Sequence, residues 1–404
     1  MRIALTANGP GEVAGWLRPL LRALYRREPQ LGAFVFLVPD DYASGFEAKI
    51  VRDAFPQATV IEPKRYLKFA LGSRLDDVPA AVDVVQYVGG ELLHAVRVHA
   101  RLKGRAATYK FSRRAYRELF DRAFALDERN TEQLIGWGTP RERIERVGNL
   151  AIDGALFEAA LPAEPGAPVD GILIMPGSRP YEIENLIPFY FAAALRMLRE
   201  RPELPIAFAL SPFTSHEHVR AAIEGGGIPQ MFGRTGRLVS DDGREYLTTP
   251  SGDVRIPVLT NALSAAKAAR IVLTIPGTKT VEVAALGKPA ITFTPLNAPE
   301  YVTINGPLTY LNRVPLVGVP LKRAAAVALS RRFGYHAQPN VDGNALLIRE
   351  VHGTITPGRV ARVALESYDD RSWIAQTGER LAALYREQIG ASDRMAESLL
   401  ALAA

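Results

Sequence analysis

The chain contains no cysteine in 404 residues. That excludes disulfide scaffolds, thiolate metal sites and cysteine nucleophiles, and it leaves the redox compartment undetermined. Histidine is scarce, at six residues. His216 and His218 stand near Glu217, but two imidazoles without a third ligand do not make a zinc site, and no metal is expected. Lysine is sparse, with nine against forty arginines, so the net charge of +6 is carried mostly by guanidinium groups suited to phosphate and carboxylate. No run approaches the roughly 18 apolar residues of a membrane span. The first residues, Met1 to Asn8, lack a secretory apolar region with a cleavage site. These absences lead to the expectation of a cytoplasmic protein, either soluble or peripheral on the inner face of the membrane.

What is present is ordinary globular material: 48% hydrophobic and 23% charged residues. The length fits two or three domains. Short apolar runs alternate with helical periodicities. Residues 2–7, 34–38, 58–61, 82–88, 106–109, 122–126 and 143–147 read as strands of a first α/β series. Residues 162–168 (PAEPGAP) form a linker. A second series follows, with strands at 172–175, 206–210, 268–275 and 289–293 and helices at 182–200 and 279–286. Residues 224–258 break the pattern and read as a β-hairpin excursion, with strands at 237–239 and 245–248. The expected fold class is α/β. Its parts are a domain at 1–161, a second at 169–365, and a helical segment at 366–404 that packs back on the first or on a partner subunit.

Three glycine turns sit between a strand and a helix, where open α/β sheets bind ligands. Asn8-Gly9-Pro10-Gly11-Glu12 offers close backbone approach and a helix start, for an anion or a sugar hydroxyl, or simply as a tight turn. It is not a dinucleotide fingerprint. In Pro176-Gly177-Ser178-Arg179, Arg179 is a fork for a diphosphate and Ser178 a donor. In Pro276-Gly277-Thr278-Lys279-Thr280-Val281-Glu282, Thr278 and the helix start suit phosphate oxygens. Glu282, one turn in, suits ribose hydroxyls. The P-loop pattern is absent. Glu91, at the end of a first-half strand, is the candidate general base. The stretch 97–122 is strongly basic and suits an anionic head group or acceptor. No nucleic-acid signature accompanies it. The segment Tyr66 to Leu71 reads either as an interfacial helix or as a core helix.

Taken together, these motifs resemble the lipid A disaccharide synthase family, glycosyltransferases of family 19 with the GT-B fold. The resemblance rests on Gly11-Glu12-x-x-Gly15, Val147-Gly148-Asn149, Ile174 to Ile183, Gly277 to Pro289, and Gln338-Pro339-Asn340 with Glu350 and Thr356-Pro357. It implies two Rossmann-like domains facing across a cleft, with C-terminal helices crossing back. It implies a UDP-sugar donor as substrate, no further cofactor, and inverting transfer of an N-acetylglucosamine-type sugar to a lipid-linked or anionic acceptor. Carried over to this chain, it has Ser178 and Arg179 meet the diphosphate, Thr278 and Glu282 the phosphate and ribose, and Asn340 line the donor site. The family also includes subunit exchange, so a homodimer is expected.

The chain departs from the family in the first half. Gly89-Gly90 stands where the family has a catalytic aspartate, and Tyr109 to Arg114 is shorter and more basic than the family's aromatic segment. Two other readings follow. One is a UDP-sugar 2-epimerase on the same scaffold. The other is a non-catalytic protein binding nucleotide sugars or lipids.

Overall fold

The computed structural model describes residues 1–40, 43–298 and 334–404. The chain forms two compact units. The first comprises 1–155 together with 386–404, and the second 156–385. The helix Arg371–Tyr385 therefore counts with the second unit, and the return to the first begins at Arg386.

The first unit is built on seven strands: β1 (Arg2–Ala7), β2 (Gly32–Leu37), β3 (Thr59–Ile61), β4 (Val84–Tyr87), β5 (Arg105–Tyr109), β6 (Arg122–Ala125) and β7 (Ile144–Arg146). All pair in parallel, in the order β3-β2-β1-β4-β5-β6-β7. Parallel sheets are covered on both faces, which is why these strands are apolar runs rather than alternating ones. One face packs Ala4, Phe36 and Val85 against Tyr66, Phe69, Val98 and Leu102. The segment around Tyr66 is thus a core helix, Pro63–Ala70, with Tyr66 and Phe69 buried. The helix Arg18–Arg27, whose Leu20, Leu21 and Leu24 are buried, packs with the C-terminal helix Ala391–Ala403. The Asp153 carboxylate accepts from the N–H groups of Gly390 (2.7 Å) and Ser392 (2.6 Å), at the start of that last helix. Arg394 donates to the Val147 carbonyl at 2.8 Å.

The second unit holds eight strands: β8 (Ile172–Met175), β9 (Ile206–Ala209), β10 (Arg237–Asp241), β11 (Arg244–Thr248), β12 (Arg255–Leu259), β13 (Ile271–Thr274), β14 (Ala290–Pro295) and β15 (Arg349–Gly353). Their order is β10-β11-β12-β9-β8-β13-β14-β15. The expected hairpin is present as β10 and β11. It is not free-standing, because β11 pairs antiparallel with β12 and β12 joins β9 in parallel. The excursion widens the main sheet. The helix Pro180–Glu200 supplies the centre of the core through Ile183, Ile187, Tyr190, Phe191 and Met197.

Both sheets reverse strand order at their centre, between β1 and β4 in the first and between β8 and β13 in the second. Connections leaving in opposite directions at such a point open a crevice at the carboxyl ends of the two strands. The three glycine turns lie at these points.

Among the described residues no helix is long and apolar enough to cross a membrane.

Candidate functional site

In the first unit the turn after β1 leads at once into helix, with Gly9 as the residue before Pro10. The helix runs through a π-helical turn at Val13–Leu17 before continuing as Arg18–Arg27. Such turns are frequent at functional sites. Gly11 is exposed and nothing crowds its α-carbon.

Glu12 points back over the sheet to the end of β4. A β-carbon on Gly89 would stand 1.9 Å from Glu12 Oε2, so only glycine leaves room for the carboxyl. Gly90, at φ +87°, would meet Val38 at 2.5 Å in the same way. Glycine at the place of the expected family aspartate is therefore what admits Glu12. From the end of β2, Asp40 closes in, with Oδ2 2.5 Å from the β-carbon position of Gly9. Asn8 Oδ1 and Glu12 Oε2 are buried and have no hydrogen-bond partner among the described residues. Burial first, and then the Asp40 charge, push the Glu12 carboxyl from its ordinary 4.5 up to about 7. The backbone N–H groups of Gly90 and Asn8 and the Lys110 ammonium oppose the shift. A carboxyl titrating near neutrality can both accept and donate a proton.

Glu91, the expected base, lies differently. It precedes the helix Leu92–Leu102, is exposed, and pairs with Arg113 at 3.2 Å. Asp40 lies near the site although no motif of the sequence marks it. The only signal for Asp40 was an acid closely following a buried strand.

In the second unit, Gly177 (φ +113°) lets the chain turn back over Glu182, whose Oε2 would lie 2.3 Å from a β-carbon there. That oxygen accepts from the N–H groups of Ser178 (2.8 Å) and Arg179 (2.9 Å). An internal carboxylate thus occupies the donors that a phosphate would use at this turn. The Arg179 side chain is exposed.

On the adjacent strand the situation is opposite. Among the described residues, Gly277 and Thr278 are exposed and no side chain caps the helix Thr278–Ala285. Its first turn is braced by the Thr280 hydroxyl donating to the Gly277 carbonyl at 2.7 Å. Glu282 is buried and receives Lys279 Nζ at 2.6 Å. The two turns start side by side, since Thr274 pairs with Met175 and donates to its carbonyl at 3.0 Å.

Asn340 is fully buried. Its Nδ2 donates to the Ile348 carbonyl (2.9 Å) and to Glu350 (2.6 Å), and its Oδ1 accepts from the N–H groups of Leu347 and Ile348 at 2.8 Å. All four of its hydrogen-bonding positions are used, which makes it a clamp between the helix Gln338–Asp342 and β15. Among the described residues no three His, Asp or Glu side chains are grouped as metal ligands.

The basic stretch 97–122 does not present an unbroken cationic face. Arg105 pairs with Asp121, Arg113 with Glu91, Arg117 with Glu118 and Arg122 with Glu145. Arg101 lies over Phe69 and donates to the Ser73 carbonyl.

No protein-family model and no curated protein matches this sequence. Solved structures do match it in fold. The UDP-GlcNAc 2-epimerase of Neisseria meningitidis, bound to UDP-GlcNAc, is 13% identical, with TM-score 0.56, over 99% of this chain and 100% of that one. The S. aureus MnaA–UDP co-structure is 16% identical, with TM-score 0.58, over 99% and 97%. A further UDP-N-acetylglucosamine 2-epimerase is 14% identical, with TM-score 0.58, over 99% and 95%. These likenesses support the two-domain GT-B type fold. They correct the expectation of a lipid A disaccharide synthase relative and of a hexosyltransferase with a lipid-linked acceptor, since the structures matched in fold include UDP-GlcNAc 2-epimerases. The physical reason is that strand, glycine turn and helix at a switch point belong to the scaffold, and one scaffold carries several reactions.

Proposed function

We propose that the chain is a UDP-sugar 2-epimerase in which Glu12 carries the proton. The observation that carries this reading is the carboxyl of Glu12, buried at the switch point of the first sheet and raised to about 7. Inverting C2 of a nucleotide sugar requires that its hydrogen leave and that a proton return on the other face. The C2–H and C1–O bonds break together, the proton passing to Glu12 and the diphosphate leaving, which gives a C1–C2 double bond; a proton then adds to the opposite face of C2 while the diphosphate oxygen re-forms its bond to C1, restoring a UDP-sugar as the C2 epimer. The fold likeness to proteins crystallised with UDP-GlcNAc and UDP supports the substrate class.

Within the second unit, the helix start at Gly277–Thr278, uncapped among the described residues, presents backbone N–H groups suited to a phosphate. The turn at Ser178 is the weaker candidate, because Glu182 holds its donors. Lys279 and Glu282 form a charged pair next to the first of these turns, suited to ribose hydroxyls.

The test is exchange in heavy water. The protein is incubated with UDP-GlcNAc, and proton NMR follows deuterium entering C2 and the appearance of the manno epimer. Glu12→Gln is expected to slow both by at least about a hundredfold. Folded wild-type protein that neither exchanges nor epimerises any UDP-sugar refutes the reading.

A further inference from the structure

The excursion at 224–258 has no part in the epimerase reading, yet its strands help to build a cavity. The cavity measures about 320 Å³ and lies wholly within the second unit. Small-molecule pockets span roughly 300–1,000 Å³, so there is room for one small ligand. It sits at the carboxyl end of β12, beside the start of β11 at the Gly243 turn. In the sheet, β9 and β8 stand between β12 and β13. Three strand spacings of about 4.8 Å put β12 roughly 14 Å from β13, so the cavity is separate from the turn at Thr278. Its floor is apolar, made by Pro165, Pro257, Val258 and Leu259. The linker passes tightly over this strand, since a β-carbon on Gly166 would stand 3.0 Å from Pro257.

The polar wall carries two carboxylates, and both are occupied. Glu164 accepts from the N–H groups of Thr260 (2.8 Å) and Asn261 (3.2 Å) and from the Thr260 hydroxyl. Glu245 meets His216 Nδ1 at 2.6 Å. An ionised carboxylate only accepts, so His216 donates through Nδ1, and its Nε2 stays available to a ligand. Arg244 lines the same wall and forms no ion pair among the described residues. Asp241, the acid opposite it in the hairpin, is taken by Arg255 at 2.9 Å. Arg255 in turn rests on the Tyr246 ring, 4.4 Å from its centroid. The negative charges of the wall are therefore engaged, while its guanidinium is open. We infer that this cavity is a second ligand site, for a small molecule that joins one oxyanion, carboxylate or phosphate, to an apolar body. Arg244 forks onto the oxyanion, His216 meets a polar group beside it, and the body covers Val258 and Leu259. This inference stands apart from the epimerase reading.

The experiment is a methyl NMR titration of the full chain labelled at valine and leucine. The Val258 and Leu259 signals are assigned by their loss in Val258→Ile and Leu259→Met. The probes are benzoate, phenyl phosphate and the uncharged benzamide. At least one of the two anions is expected to move both signals saturably, and benzamide at the same concentration is not. Comparing benzoate with phenyl phosphate tells which oxyanion the site prefers. Arg244→Gln is expected to weaken the preferred anion at least about tenfold, the effect of losing a charge-assisted hydrogen bond. Both Arg244 and the control Arg237 are exposed on the hairpin, and Arg237 lies outside the cavity lining. Arg237→Gln is expected to leave the affinity unchanged. The proposal is overturned if folded wild type shows no saturable shift with either anion, or if benzamide binds as well as they do. It is equally overturned if Arg244→Gln binds like wild type or no more weakly than Arg237→Gln. The titration involves no turnover, so its outcome is independent of whether any UDP-sugar is epimerised.

Discussion

Glu12 shows how one buried group links stability to function. Its folded pKa lies above its unfolded value, because burial and Asp40 favour the protonated form. The stabilisation from that proton is complete below about pH 4.5 and is lost as pH rises through about 7. A shift of this size corresponds to about 3 kcal/mol. Glu12→Gln, which cannot ionise, is therefore expected to be more stable than wild type at pH 8, by up to about 3 kcal/mol, and to lose that advantage toward pH 4.5. Urea unfolding at the two pH values measures it. Parallel stability curves for the two proteins would show that Glu12 is not held protonated by the fold. The sequence pointed to Glu91 as the general base, with Glu12 only as part of the first glycine turn. The structure separates them, because Glu91 is exposed beside Arg113 while Glu12 fills the space that Gly89 leaves.

At the level of elements, the two turns at the switch point of the second unit look alike in sequence and differ in structure. Both turns have glycine, a hydroxyl and a cation before a helix. One is filled by Glu182, and the other is open at Thr278. The difference lies in a side chain one turn into each helix: Glu182 reaches back to the N–H groups, whereas Glu282 meets Lys279. Asn340 illustrates the same limit. The family resemblance implied that it lines the donor site, yet it holds a short helix to the segment entering β15 through four hydrogen bonds. Asn340→Ala leaves the Leu347 and Ile348 N–H groups and the Glu350 carboxylate short of partners. It is expected to cost roughly 3 kcal/mol, read by thermal or urea unfolding. A variant of unchanged stability that has lost UDP affinity would instead return Asn340 to the ligand.

For the whole chain, the division into units is not a simple cut along the sequence. Residues 386–404 count with the first unit although the second lies between them in sequence. Met395 and Leu399 are fully buried, and Asp153 and Arg394 tie the segment at both sides of its first turn. Each such buried side chain contributes about 1.5–3 kcal/mol. A chain ending at Tyr385 is therefore expected to lose amide-exchange protection in β1, β4 and β5 while keeping it in β8, β9 and β13. Equal protection in both sets, with or without the segment, would show that the first unit is complete without it.

The sequence by itself determined the alternation of strand, glycine turn and helix, because apolar runs and helical periodicity are local properties of the chain. It also placed glycine turns after β1, β8 and β13, for the same local reason. Only the tertiary structure decided which of those turns is open and which carboxyl is buried. Those facts depend on groups distant in sequence, such as Glu12, Asp40 and Gly89, meeting at the ends of neighbouring parallel strands. Burial and charge proximity, unlike periodicity, do not exist until the sheet is assembled.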